Sequence, residues 1–228
     1  MTEELFDLAD KYEAMLAEGL RVSGEDWAYF MRGRVNDLKG RLPNGWQPQR
    51  ILDFGCGVGL TTQHFAHEFP RAEIVGVDTS KMALRRAAES NSSRRVTFMP
   101  LSDLGPTGDF DLCYTNGVFH HIEPASRPVA LKTVESALSP AGYFALFENN
   151  PWNPGTRLVM RRIPFDRDAK TLSVPTALRL FHGSTGWEVM SVRSLFYFPR
   201  ILSRLRFCEQ WLAGLPLGAQ YYVLARRI

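Results

Sequence analysis

The segment that most constrains the fold is a short apolar run followed at once by three closely spaced glycines and a helix-forming stretch. Residues 50–54 predict a buried strand and residues 60–68 predict a helix, with Gly55-x-Gly57-x-Gly59 between them. Because glycine lacks a Cβ, this loop can turn tightly and a ligand can lie against its backbone. The N–H groups at the start of the helix favour an anionic group. The arrangement predicts a ligand-binding turn after the first strand of an α/β fold.

Strand and helix patterns alternate along the rest of the chain. Further buried strands are predicted over residues 73–78, 95–99, 110–114 and 142–147, with helices over 80–89 and 128–138. The tail predicts a helix over 176–181, a long strand over 187–198 and a last strand over 220–225. Such alternation implies βαβ units and a parallel sheet, and right-handed crossovers then place helices on both faces.

The region before the first strand predicts two amphipathic helices. Apolar residues from Leu5 to Leu20 recur at helical spacing, and a second apolar stripe begins at Trp27. We predict that Ser23 caps the second helix, with Asp26 three places on as a partial capping box.

Composition and charge exclude several classes of protein. The 228 residues are 45% hydrophobic and 22% charged, which suits one soluble α/β domain. The net charge of +3 is too small for the basic stripe of a nucleic-acid-binding protein, so no nucleic-acid partner is expected.

Cysteine usage and hydropathy suggest the compartment. Cys56, Cys113 and Cys208 are sparse and form neither a disulfide framework nor a CxxC metal motif, so we expect a reducing, cytoplasmic environment and no metal. The first residues lack a signal-peptide pattern, and no stretch approaches ~18 apolar residues. We therefore expect no stable membrane insertion.

The spacing of the glycine loop distinguishes between cofactors. A dinucleotide fingerprint needs its third glycine at position 60, where this chain has Leu60, so a nicotinamide-dependent oxidoreductase is disfavoured. Asp53 precedes the first glycine by two residues, which is more typical of S-adenosylmethionine (SAM) loops. Asp78 ends the next strand, where a carboxylate can accept two hydrogen bonds from ribose hydroxyls. The alternative for Asp78 is a turn or capping residue ahead of the helix that begins near Ser80.

Four segments of the chain resemble class I SAM-dependent methyltransferases. Residues 51–59 resemble their motif I, 75–80 their acidic loop, and 138–142 the turn before their fifth strand. Residues 110–122 resemble the fourth-strand segment of the methyltransferase 11/12 branch, which includes ubiquinone and menaquinone methyltransferases. The resemblance covers roughly residues 45–226.

The resemblance implies a Rossmann-like α/β fold with a seven-stranded sheet of order 3-2-1-4-5-7-6, strand 7 antiparallel, and helices on both faces. It also implies an N-terminal helical lid over residues 1–44. The SAM-binding domain then covers 45–228, with 199–218 as an insertion between the last two strands. That apolar and basic insertion is expected to cover the sheet edge or build the acceptor pocket, or else to touch a membrane surface or lipid-like acceptor.

The expected cofactor residues surround the glycine loop and the ends of the first four strands. Ser102 or Asp103 is expected to meet the adenine amino group, and Tyr12 to touch the methionine moiety. The full set is Asp53, Gly55, Cys56, Gly57, Gly59, Asp78, Thr79, Ser102, Asp103, Asn116 and Tyr12.

Catalytic candidates follow strands 4 and 5. Proximity to the activated methyl group supplies much of the rate, and a base is needed only if the acceptor must lose a proton. His120 and His121 titrate near neutrality, and adjacent side chains usually diverge, so we favour His121 as the one in the pocket. Glu148 is a third candidate. The alternative for the histidines is capping or packing in the loop.

Four residues are predicted to bind the acceptor, namely Asn149, Trp152, Tyr29 and Arg157. Turn chemistry in the Asn-Pro pairs, a helical stripe at Tyr12 and Tyr29, and a solvated basic face at Arg157 are the alternatives. The expected reaction is methyl transfer from SAM to oxygen, nitrogen or carbon of a small molecule, with an acidic or lipid-like metabolite as one option and S-adenosylhomocysteine as product. The alternative function is a non-catalytic SAM-binding partner or regulatory subunit.

Overall fold

The computed structural model describes residues 9–166 and 169–228, and describes side chains over 15–164, 166 and 169–228. The helices are α1 (Ala9–Leu20), α2 (Trp27–Lys39), α3 (Leu60–Glu68), α4 (Lys81–Ser90), α5 (Arg127–Ala137), α6 (Pro154–Arg162), α7 (Val174–His182) and α8 (Glu209–Leu212). The strands are β1 (Arg50–Phe54), β2 (Glu73–Asp78), β3 (Val96–Pro100), β4 (Phe110–Asn116), β5 (Leu138–Asn149), β6 (Trp187–Leu195) and β7 (Gln220–Arg227).

The seven strands form one sheet in the order β3-β2-β1-β4-β5-β7-β6. The first five strands run parallel, whereas β7 is antiparallel to both β5 and β6. The predicted fold class and strand order are therefore confirmed. The order reverses at β1, which pairs with β2 on one side and β4 on the other, and a crevice at such a point is where ligands bind in open α/β sheets.

Both faces of the sheet are buried, which explains why its strands are continuous apolar runs in the sequence. Successive side chains of a strand point to opposite faces. Leu52 of β1 thus joins a core with Phe144 and Trp187, while Ile51 joins the opposite core with Phe65. Packing on two faces fixes the carboxyl ends of the strands, where the candidate site lies.

The second helix begins later than predicted. Asp26, rather than Ser23, is its N-cap, because the Asp26 carboxylate accepts a hydrogen bond from the Tyr29 N–H at 2.7 Å. The Ser23 hydroxyl instead donates to the Leu20 carbonyl at 2.7 Å, in the turn that closes α1. The prediction that Ser23 caps this helix is therefore wrong.

The segments that follow β6 and β5 also differ from the prediction. The long strand ends at Leu195 rather than 198, because Phe196 has a left-handed backbone with φ of 62°. The segment after β5 contains α6, where only a loop was predicted. Asn153 caps α6 by accepting from the Thr156 N–H at 2.9 Å, and Pro154 occupies its first turn.

The insertion over 199–218 packs against the turn between α1 and α2. It contains an irregular 3₁₀ segment, Arg200–Cys208, followed by α8. The Arg200 N–H donates to the Ser23 carbonyl at 2.9 Å, and Arg206 pairs with Glu25 at 2.9 Å. Its outer side leaves large apolar side chains in solvent, among them Ile201 at 90% exposure.

Hydropathy along the described helices bears on the membrane question. Within residues 9–166 and 169–228, no helix is both long enough and apolar enough to cross a bilayer.

Candidate active site

A cavity of about 660 Å³ lies at the carboxyl ends of β1, β2 and β4. The glycine loop forms one wall, and α1, α2, α6 and the insertion close over it. Gly19 of α1 lies against Ile163, and a Cβ there would meet that side chain at 2.3 Å, so the two helical regions approach closely. A cavity of this volume is of the size that binds small molecules.

The backbone of the glycine loop has the conformation that glycine alone adopts easily. Gly55 and Gly57 have φ of +77° and +54°. A Cβ on Gly55 would meet Val118 at 2.3 Å, whereas a Cβ on Gly57 would meet nothing within 4 Å. Gly57 therefore faces open space, which a ligand could fill.

Asp78 stands at the end of β2 and connects this strand to the glycine loop. Its carboxylate accepts hydrogen bonds from the N–H groups of Gly57 at 2.8 Å and Ser80 at 2.9 Å. The cap of α4 is Ser80, whose hydroxyl accepts from the Ala83 N–H. Each carboxylate oxygen of Asp78 keeps a second lone pair, so Asp78 can also accept from a ligand hydroxyl in the cavity.

Asp53 is a buried acid on the cavity wall. It is 3% exposed and accepts a hydrogen bond from the Thr62 hydroxyl at 2.6 Å. Burial, with a smaller contribution from the nearby Asp78 charge, raises the pKa of Asp53 to about 7 against the opposing effects of Thr62 and Arg34. A cationic ligand group placed beside Asp53 would offset the cost of ionising this carboxyl.

Arg34 of α2 lies on the same wall. Its Nε donates to the Tyr114 hydroxyl at 2.9 Å, and its Nη1 donates to the Gln220 side-chain oxygen at 3.0 Å. Arg34 lies in the apolar stripe that begins at Trp27 and is not among the predicted site residues. The sequence signal for a functional role is an arginine inside an otherwise apolar helix face. The wall thus offers one carboxyl group and one guanidinium group to a ligand.

The two predicted histidines lie on a 3₁₀ turn, Phe119–His121, that follows β4. His120 Nδ1 is 2.6 Å from Glu148 Oε2, and its Nε2 is 3.3 Å from Asp166 Oδ1. His121 Nε2 is 3.2 Å from the same Asp166 oxygen. Burial by itself lowers the pKa of His120, but the two carboxylates outweigh it and raise the pKa to about 10. With both nitrogens engaged, His120 is poorly suited to be a free base.

Both histidines line the cavity, but Glu148 does not. Glu148 is wholly buried behind His120, and its other oxygen accepts the Phe119 N–H at 2.9 Å. We therefore correct its assignment from catalytic residue to positioning residue. Asp166, which both histidines contact, was not predicted. It follows an unpredicted helix 45 residues after His121, and no local pattern marks it.

Most of the predicted cofactor residues line the cavity, namely Asp53, Gly55, Cys56, Gly57, Asp78, Thr79 and Asn116. Gly59 lies behind the loop as the N-cap of α3. Ser102 and Asp103 are outside the cavity on an exposed turn, where the Ser102 hydroxyl donates to the Asp103 carboxylate at 2.9 Å, and Leu101 faces the cavity instead. The side chain of Tyr12 lies outside the described residues.

Two of the four predicted acceptor residues, Tyr29 and Asn149, line the cavity. Trp152 is 49% exposed, because the chain turns outward there to begin α6. Arg157 is exposed because α6 buries its other face through Thr156 and Met160. The structure contradicts the placement of Trp152 and Arg157 in the pocket.

Known proteins match part of this chain in sequence. Residues 52–144 match the Methyltransf_12 family model, described as a methyltransferase domain. An uncharacterised protein of Synechococcus sp. is 35% identical over 131 residues, or 54% of this chain and 31% of that protein. The trans-aconitate 2-methyltransferase of Rhodopseudomonas palustris (strain BisB5) is 28% identical over 119 residues, or 52% of this chain and 46% of the enzyme. The matched stretches span less than half the length of either relative.

Solved structures share the fold. A SAM-dependent methyltransferase from Mesorhizobium loti aligns with a TM-score of 0.62 and 24% identity, over 86% of this chain and 98% of that one. Residues 52–144 therefore match a methyltransferase domain, and the seven-stranded sheet has the fold of solved SAM-dependent methyltransferases.

Proposed function

We propose that the chain transfers the methyl group of SAM to a small-molecule acceptor bound in the same cavity. The observation that carries the proposal is the continuity of the cavity, which runs from the glycine loop and Asp78 to His121 and Asn149. Donor and acceptor can therefore lie side by side, and this proximity supplies much of the rate.

The residues on the donor side fit SAM. The open space at Gly57 allows SAM to lie against the backbone of the loop. Asp78 is placed to accept hydrogen bonds from the ribose hydroxyls of SAM. Asp53 and Arg34 offer opposite charges to the ammonium and carboxylate of the methionine moiety. When bound, SAM supplies a methyl group activated by the sulfonium centre.

The acceptor side is largely apolar, with a few polar groups. The rings of Tyr29, Phe30 and Phe196 pack with centroids 4.9–5.7 Å apart and line one wall. Asn149 and His121 add polar atoms. Such a mixture suits a small organic molecule that is oriented by a few hydrogen bonds and shielded from water.

An acidic acceptor is the option best supported by the relatives. Besides the trans-aconitate enzyme, a malonyl-[acyl-carrier protein] O-methyltransferase of Legionella pneumophila is 39% identical over 77 residues. Both names specify carboxylate-bearing acceptors. A carboxylate oxygen attacks without losing a proton, so the chain then needs only to orient it.

Calorimetry with SAM and S-adenosylhomocysteine tests the proposal. We expect both to bind, and we expect Asp78→Ala to weaken binding by at least ~1.5 kcal/mol, the scale of a charged hydrogen bond. Glu89→Ala is the matched control, because it removes an exposed carboxylate from the adjoining helix α4. Absence of binding in folded protein would refute the proposal. Binding without turnover on any acceptor would instead favour the non-catalytic SAM-binding role.

A further inference from the structure

The histidine cluster beside the cavity has the composition and spacing of a metal site. One oxygen of Asp166 lies 3.3 Å from His120 Nε2 and 3.2 Å from His121 Nε2. One potential ligand atom from each of the three residues lies within 4.8 Å of the others. Two imidazoles and one carboxylate thus converge on one point from two separate parts of the chain.

These spacings agree with tetrahedral coordination. Zinc binds imidazole nitrogen at about 2.0–2.1 Å and carboxylate oxygen at about 2.0–2.2 Å, so neighbouring ligands in a tetrahedron are about 3.3–3.5 Å apart. The two separations from Asp166 are close to this range. The ligand atoms of the two histidines lie within 4.8 Å of each other, and side-chain movement would bring them to the separation that an ion needs.

A second carboxylate supports the cluster from behind. Glu148 contacts the other ring nitrogen of His120 at 2.6 Å, and the Phe119 N–H fixes Glu148 in turn. Histidines that bind metals commonly donate their second N–H to a carboxylate in this way, which fixes the tautomer and increases the ligand's basicity. Glu148 therefore fixes the orientation of the His120 ring and leaves its Nε2 on the cavity side, available as a ligand atom.

We propose that His120, His121 and Asp166 bind one divalent transition-metal ion of the zinc class, with its remaining position open to the cavity. Two imidazole ligands favour zinc, cobalt or iron over magnesium and calcium, which prefer oxygen ligands. All three residues line the cavity, so a coordination position can face it. Binding of the ion replaces any proton on the Nε2 atoms.

The open position gives the ion a role in acceptor binding. Three protein ligands and one exchangeable position are the arrangement of catalytic zinc sites. An acceptor oxygen coordinated there is held in place, and its basicity and orientation are set by the ion. This role rests on the proposed methyl transfer and points to an oxygen acceptor, whereas binding of the ion itself does not depend on that proposal.

Metal titration of untagged, chelator-treated protein tests the site. We expect one equivalent of Zn²⁺ to bind in competition with a chromophoric chelator, and Co²⁺ to give the absorption bands of a low-coordinate site. His121→Ala and Asp166→Ala should each weaken Zn²⁺ binding at least ~10-fold, and Glu148→Gln should weaken it by about 10–100-fold. His67→Ala, which removes an exposed histidine on α3, should leave it unchanged.

The outcomes separate the metal site from the proposed function. Equal Zn²⁺ affinity in the parent and in folded His121→Ala, or the absence of stoichiometric binding, would overturn the metal site and leave a purely hydrogen-bonded cluster. Because Glu148 is buried, folding of each variant is checked by circular dichroism, and the partly exposed His121 supplies the decisive variant. SAM binding is measured in the same metal-free protein, so its failure would count against the methyltransferase proposal alone.

Discussion

Asp53 offers a test in which stability and ligand binding move in opposite directions. Its pKa of about 7 lies well above the usual value of 3.8, chiefly because the carboxyl is buried. A difference of about 3 in pKa corresponds to about 4 kcal/mol between the ionised and neutral forms. Ionisation of Asp53 in the ligand-free protein should therefore cost up to that amount.

The cost has a defined pH window. Between pH 3.8 and about 7, folded Asp53 holds a proton that the unfolded chain has lost. The free energy of unfolding therefore falls as the pH rises through this window, and the loss is complete above pH 7. Below pH 3.8 both states are protonated and Asp53 contributes no pH dependence.

Asp53→Asn removes the titration while keeping an oxygen that can accept the Thr62 hydroxyl. Its buried amide N–H group costs about 1–3 kcal/mol, so the variant should be less stable than the parent near pH 4. Between pH 4 and pH 8, the free energy of unfolding of the parent should fall by up to about 4 kcal/mol relative to that of the variant. Urea denaturation of both proteins from pH 4 to 9 measures this shift, with Glu89→Gln as an exposed control.

Ligand binding should show the reverse effect. Pairing with the ammonium of SAM requires ionised Asp53, so SAM binding at pH 6 should release close to one proton and tighten toward pH 8. Asp53→Asn should bind SAM at least ~10-fold more weakly, the loss of one charged hydrogen bond, and should lose this proton release. A stability difference between variant and parent that does not change with pH would refute the reasoning.

The remaining predictions concern the loop, the wall and the limits of the cavity. Gly55→Ala should lower the free energy of unfolding by more than ~1–2 kcal/mol, because it combines a left-handed backbone with a clash against a neighbouring side chain. Gly57→Ala should cost only the ~1–2 kcal/mol of its left-handed backbone and should also reduce SAM affinity; thermal melts and calorimetry separate the two. Arg34→Met should weaken SAM binding by about 1.5–3 kcal/mol in calorimetry, and unchanged affinity would remove Arg34 from the site. Asn153→Ala should cost about 1 kcal/mol of stability in urea denaturation by removing the cap of α6, and an unchanged midpoint would contradict that role. Trp152→Ala should leave KM for the acceptor unchanged, and a marked rise would return Trp152 to the pocket.

The fold could be predicted because its signals are local or carried by the resemblance. The apolar run of β1, the glycines after it and Asp78 at the end of β2 are each legible within a few residues. The strand order was implied by the family resemblance, since periodicity does not tell which strands are neighbours. The cap of α2 was misplaced because Ser23 and Asp26 are both good capping residues, and packing decides between them.

The acceptor side was less predictable for a physical reason. Asn153-Pro154 is compatible with a turn or with the start of a helix. Without knowledge of α6, the sequence does not indicate whether Trp152 and Arg157 face the cavity or the solvent. Asp166 follows that helix, and it contacts the histidines because α6 brings the chain back to the cavity. Contacts between distant segments leave no mark on the spacing of either one.

The most direct test of the central claim is a structure of the protein with S-adenosylhomocysteine bound. We predict that the ribose hydroxyls meet Asp78, the methionine ammonium and carboxylate meet Asp53 and Arg34, and the sulfur faces the side of the cavity that carries His121. S-adenosylhomocysteine bound away from the Gly55-x-Gly57 loop, or with its sulfur turned from His121, would contradict the account.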